Sequence, residues 1–115
     1  MDVKECIDII NYECIAVNGF LVKLRAREFS KENYANLMNA LHCYRELIQG
    51  NELIDRSVAY CLHFLGLELV SSIESYPRTE EQTLFMNQVN LELSNLIEDI
   101  LTPEHMKGQL PEEYL

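Results

Sequence analysis

The stretch Cys14-Ile15-Ala16-Val17-Asn18-Gly19-Phe20-Leu21-Val22-Lys23 admits two readings, and the choice between them decides the fold. Asn-Gly between two apolar runs is the strongest short-range sign of a β-hairpin, because both residues accept the positive φ of a type I′ turn. The same stretch also fits a helix. Val3, Ile7, Ile10, Cys14, Val17, Leu21 and Leu24 step by three or four, which is one helical face. A two-stranded hairpin is marginal alone, and no other segment offers it a strand. Gly19 inside a helix costs only about 1 kcal/mol relative to alanine. The helix reading is preferred: residues 3–27 form a first helix, capped by Asp2. Asn18-Gly19 is the place where it kinks or breaks. Lys23, Arg25 and Arg27 fall in its last turns, where cations complement the helix dipole.

The rest of the chain repeats the helical period. Ser30 caps a second helix whose stripe is Tyr34, Leu37, Met38, Leu41, Tyr44, Leu47 and Ile48, with Gly50 as its stop. Asn51 caps a third, over about 52–75, with Leu53, Ile54, Val58, Cys61, Leu62, Leu65, Leu69 and Ile73 inward. Gly66 there is a candidate point of close approach, and Pro77 ends the helix. Thr79-Glu80-Glu81-Gln82 is a capping box that opens a fourth. Its stripe is Leu84, Phe85, Val89, Leu93, Leu96, Ile97, Ile100 and Leu101. Thr102-Pro103-Glu104 predicts a short further turn.

Four helices of similar length with short links predict an all-α, up-down-up-down four-helix bundle over 1–106, with an extended tail over 107–115. The almost absent link at 50–51 makes the second and third helices antiparallel neighbours. The end of the first helix then lies beside Glu80 and Glu81, so that Lys23, Arg25 and Arg27 face them.

The chain has 115 residues, 48% hydrophobic and 24% charged, enough for one domain with a real core. Its net charge is −10. Nucleic acid and anionic membrane surfaces are therefore poor direct partners. Residues 1–50 hold seven acids and six bases, and residues 51–115 hold twelve and three. From Thr79 to Met106 there is no Lys or Arg. No run of about 18 uncharged apolar residues occurs. The apolar start is interrupted by Lys4, Glu5, Asp8 and Glu13, unlike a signal peptide. A cytoplasmic location is expected, with Cys6, Cys14, Cys43 and Cys61 as reduced core thiols. Pairing of Cys43 with Cys61 is left open.

No constellation for catalysis, metal or cofactor stands out. The four glycines are isolated, and there is no nucleophile elbow, His-Glu-x-x-His or Cys-x-x-Cys. Cys6 and Cys14 would lie about 12 Å apart along one helix, too far to share an ion. Neither a cofactor nor a metal is expected, and no residue is assigned a catalytic role. Glu5-x-x-Asp8 and Glu52-x-x-Asp55 place paired acids on one helix face. They resemble one of the two Mg²⁺-binding elements of all-α nucleotide pyrophosphatases, whose Glu-x-x-Glu partner is missing here.

The leading expectation is a small acidic protein-binding protein: an adaptor, inhibitor, immunity protein or chaperone. Its docking residues are Glu80, Glu81, Glu92, Glu98 and Asp99 on the fourth helix, together with Tyr60 and Phe64, which widen the apolar face of the third. The partner is another protein, one with a basic surface by charge, and a homodimer is left open. The rivals are a divalent-metal nucleotide hydrolase, if acids converge in a cleft, and an acidic nucleic-acid mimic, if exposed acids follow phosphate spacing.

Overall fold

A computed structural model describes residues 1–75 and 79–108, with the side chains of 73–75 excepted. The expectations for Ile73, Pro77 and most of the tail lie outside the described residues. Along the chain run α1 (Val3–Ile15), α2 (Phe20–Arg25), α3 (Lys31–Leu47), α4 (Arg56–Ser75), α5 (Glu80–Leu101) and a 3-10 turn at Glu104–Met106. No strand occurs among the described residues, so the chain is an all-α bundle. Asp2 caps α1, its carboxylate accepting from the Glu5 N–H at 2.8 Å. Ser30 caps α3 through the Asn33 N–H. Both halves of the capping box at Thr79 are made, each at 3.1 Å.

The first helix breaks at Asn18-Gly19, giving α1 and α2 instead of one helix over 3–27. The cause lies in tertiary structure. The Glu13 carboxylate is almost wholly buried and accepts from the Phe20 N–H (3.0 Å) and from Asn33 Nδ2 (2.7 Å). It thereby satisfies a donor that the start of α2 would otherwise leave orphaned. Asn33 Nδ2 also donates to the Asn18 carbonyl (3.1 Å), and Lys23 Nζ donates to Asn33 Oδ1 (2.9 Å). Gly19 has an ordinary φ of −83°. What it supplies is room, because a Cβ there would sit 2.4 Å from the Tyr12 carbonyl oxygen and 2.9 Å from that of Glu13. No close approach is found at Gly66, where nothing lies within 4 Å of a Cβ position. The elbow leaves Val17 79% exposed, off the apolar face expected for it.

Helix directions follow from the paired residues. Glu13, near the end of α1, meets Asn33, near the start of α3, and the two helices pack along their lengths, so α1 and α3 are antiparallel. Asn11 reaches Ser57 and Cys61, and Arg25 reaches Glu68, so the α1–α2 arm runs parallel to α4. Tyr34 meets Glu92 and Arg45 meets Asp99, so α3 and α5 are parallel. Direction thus alternates along the chain as expected, but the neighbours do not. No Cα of α3 comes within 8 Å of one in α4, and the same holds for α1 and α5. These two pairs are the diagonals.

The short α3–α4 link predicted from sequence is in fact eight residues, 48–55, because α4 begins at Arg56 and not at 52. Such a segment can span about 25 Å, ample for the diagonal of a bundle whose helices pack 8–10 Å apart. Leu53, expected inside, is exposed in this crossover. Two of the three cations expected to face Glu80 and Glu81 are engaged elsewhere: Lys23 bonds Asn33 and Arg25 bonds Glu68 at 2.7 Å. The core is one cluster, with Ile10, Phe20, Leu24, Leu41, Tyr44, Leu62, Leu65 and Leu93 fully buried.

Candidate functional site

Burial along α5 follows Met86, Val89, Leu93, Leu96 and Ile100, a strict alternation of three and four. This corrects the predicted stripe at its start. Leu84 lies nine residues from Leu93, which is half a turn round the helix, and it is 65% exposed. Leu91, nine residues from Ile100, is 61% exposed on the same outer side. Glu80 and Glu98 bracket these leucines, both exposed, and Glu81 is exposed in the first turn. Phe85 leans the other way and meets Phe29 edge-to-face at 5.2 Å.

The remaining two acids of α5 point toward α3. Glu92 accepts from the Tyr34 hydroxyl at 2.7 Å and from Gln88 Nε2 at 3.4 Å. Burial, and then this bond to Glu92, hold the Tyr34 phenol well above its ordinary titration range. Asp99 pairs with Arg45 (3.5 Å) and Lys107 (3.1 Å). Both bases come from outside the base-free stretch, so folding partly compensates the acidic helix at its C-terminal end. Glu92 and Asp99 line one wall of an open groove of about 610 Å³, and Met38, His42 and Arg45 line the other. Glu98 borders a neighbouring depression with Asn95, Thr102 and Lys107.

Tyr60 and Phe64 occupy a different face. Their rings stand 4.8 Å apart; Tyr60 is 60% exposed on the outer side of α4, while Phe64 is partly buried and packs against the core. Leu67, seven residues after Tyr60, continues the stripe at 55% exposure. The predicted residues therefore divide among the outer face of α5, the α3–α5 groove, and the outer face of α4. Sequence reasoning missed Leu67 and Leu91, although each repeats an exposed apolar residue seven positions earlier. It also missed Tyr34 and Arg45, which only tertiary packing brings to the acids.

The chain matches no protein-family model, no curated protein and no solved structure. The reading of these surfaces rests on their own chemistry. Three of the four carboxylates considered for a metal have other partners: Asp8 with Lys4, Glu52 with His105, and Asp55 with the start of α4. Among the described residues no three His, Cys, Asp or Glu side chains come together as a metal site. No helix among them is long and apolar enough to cross a membrane.

Proposed function

We propose that this chain is a small protein-binding module that docks a basic protein partner through the outer faces of α4 and α5. The observation that carries the reading is the outer stripe of α4, where Tyr60 and Leu67 lie exposed and Phe64, partly buried against the core, supports the Tyr60 ring from the side. Aromatic side chains with an exposed apolar surface are what the centre of a protein interface is built from. The second support is charge. Glu80, Glu81 and Glu98 make no ion pair within the described fold and flank the exposed Leu84 and Leu91. Such charges steer a basic partner and set its orientation, while the apolar contacts supply residence time.

Neither rival reading gains comparable support. The acids of α5 leave an eleven-residue gap between Glu81 and Glu92, about 16 Å of helix, which is far from an even phosphate-like spacing. The acids offered for a hydrolase are spread over separate surfaces.

The test is site-specific photocrosslinking in the cells that make the protein. A photoreactive side chain at Leu67 or Leu84 is expected to capture one and the same protein. A probe at Tyr12, half-exposed on α1 beside α3 and diagonal to α5, is expected to capture none of it. Capture that is equal at all three positions, or absent at Leu67 and Leu84, would overturn the reading.

A further inference from the structure

Asn18 is the one asparagine of this chain that is followed by glycine. That dipeptide is chemically labile. With no side chain on the following residue, the glycine nitrogen reaches the asparagine side-chain carbonyl more readily than any other residue's nitrogen does. In this fold the same dipeptide forms the elbow between α1 and α2. The Asn18 side chain is exposed, while Gly19 is buried.

The peptide unit that joins them is held at both of its polar atoms. The Asn18 carbonyl accepts from Asn33 Nδ2 at 3.1 Å, and the Gly19 N–H donates to the Ala16 carbonyl at 2.9 Å. Gly19 is also wedged under α1, where even a methyl group would sit 2.4 Å from the Tyr12 carbonyl oxygen. Asn33 is fixed in turn, its amide donating to Glu13 and its oxygen accepting from Lys23 Nζ.

We propose that Asn18 is a site of deamidation that the folded elbow keeps closed, with Asn33 as the residue that holds the reacting peptide in place. In the reaction the Gly19 nitrogen attacks Asn18 Cγ and gives up its proton. The bond from Cγ to the side-chain nitrogen breaks, ammonia leaves, and a five-membered succinimide remains. Water then opens the ring. Attack at Cγ gives aspartate, and attack at the backbone carbonyl carbon gives isoaspartate. In total, one amide and one water give one carboxylate and one ammonium ion. Ring closure requires the Gly19 nitrogen to shed its hydrogen and turn onto the Asn18 side chain. The bonds to Ala16 and Asn33 both oppose that turn, so the elbow has to open first.

The two products differ in consequence. Aspartate leaves the backbone as it was and places its charge on an exposed side chain. Isoaspartate routes the chain through the former side chain and adds an atom to the backbone, so the two bonds and the wedge at Gly19 cannot re-form together. The site is thus a one-way mark of time spent with the elbow open.

The experiment incubates the native chain and the guanidinium-unfolded chain at mildly alkaline pH and follows Asn18 by peptide mapping, with isoaspartyl methyltransferase labelling of the product. Deamidation in the native chain should be slower by about tenfold or more, the scale on which local opening limits a reaction. Asn33→Ala, followed under conditions where its melting curve shows it folded, should lose most of this protection. The Gly19 amide hydrogen of the wild type should exchange slowly, because exchange needs the same bond to Ala16 broken. Equal rates in the native and unfolded chains would overturn the proposal, and so would a folded Asn33→Ala as protected as wild type. If that variant does not fold, the wild type decides: slow deamidation beside fast exchange of the Gly19 amide would show that these bonds are not what closes the site.

Discussion

Glu13 and Gly19 show how two residues of unremarkable type set a bend. Replacing Glu13 by alanine would leave the Phe20 N–H and the Asn33 amide without their acceptor in a buried place. We expect a loss of about 2–4 kcal/mol, the scale for breaking a buried polar network. Glu13→Gln keeps one acceptor oxygen and should lose clearly less. Urea unfolding of both variants decides it, and losses under about 0.5 kcal/mol for both would show that the network contributes nothing. Gly19→Ala should also lose about 2–4 kcal/mol, because its methyl meets backbone atoms, which cannot swing aside as a flexible side chain does. The sequence marks Gly19 as a break point, but the local argument behind that mark, tolerance of positive φ, is not the reason. The close return of the chain over Tyr12 and Glu13 depends on Asn33, twenty residues away from Glu13 in sequence, and no local pattern contains it.

At the level of the helices, period and capping chemistry located α3 and α5 to within a few residues, since Ser30 and Thr79 act through their own neighbours. They misplaced the start of α4. Asn51 is as good a cap as Asp55 by type, and Leu53 and Ile54 extend the apolar period backwards. The diagonal crossover needs those residues as a linker, and that demand is invisible locally. Asp55 is the working cap: its carboxylate accepts from the N–H groups of Ser57 (2.9 Å) and Val58 (3.3 Å) and from the Ser57 hydroxyl. These bonds, that of the Ser57 hydroxyl foremost, hold its pKa below the ordinary aspartate value. A depressed pKa gives stability that is present above the unfolded-state value, about 3.9, and is lost as pH falls through the folded-state value. Asp55→Ala should therefore cost about 1 kcal/mol at neutral pH. The difference from wild type should shrink as the medium is acidified below about pH 4. Thermal melts of the two chains at several pH values test this, and a gap that stays constant into acid would refute the carboxylate cap.

For the molecule as a whole, the acidic surplus of the second half was legible in the sequence, and its partial compensation was not. Arg45 lies on α3, and only the parallel packing of α3 and α5 carries it to Asp99. The acids consequently separate into two kinds. Glu80→Lys with Glu98→Lys should leave stability within about 0.5 kcal/mol, as exposed changes do. Once a partner is known, it should slow association several-fold at low salt, an effect that fades as salt screens the charges. Asp99→Lys should instead lower the melting temperature, because it sets a third cation against Arg45 and Lys107. Stopped-flow association across a salt series and melting curves separate the two outcomes. An on-rate indifferent to both reversal and salt would leave the apolar face of α4 as the only docking surface. That face was half legible, since Tyr60 and Phe64 overfill the stripe of α4. Leu84 was assigned inward because it sits beside Phe85 at a plausible step, whereas the strict alternation through Met86 turns it outward.

The diagonal crossover also governs the order in which the molecule can assemble. In a bundle whose consecutive helices touch, each helix as it forms finds its neighbour at once. Here α4 lies diagonal to the helix before it and must find the α1–α2 arm, as Arg25 finds Glu68 across 43 positions of sequence. The pairing of α3 with α5 spans more, 58 positions between Tyr34 and Glu92. Loops of that length close late, because their entropy is spent before their contacts form. Refolding should accordingly be slower than for a meander of equal helix content. The α1–α3 hairpin, whose helices meet at Glu13 and Asn33, should gain amide protection first, and α5 should gain it last.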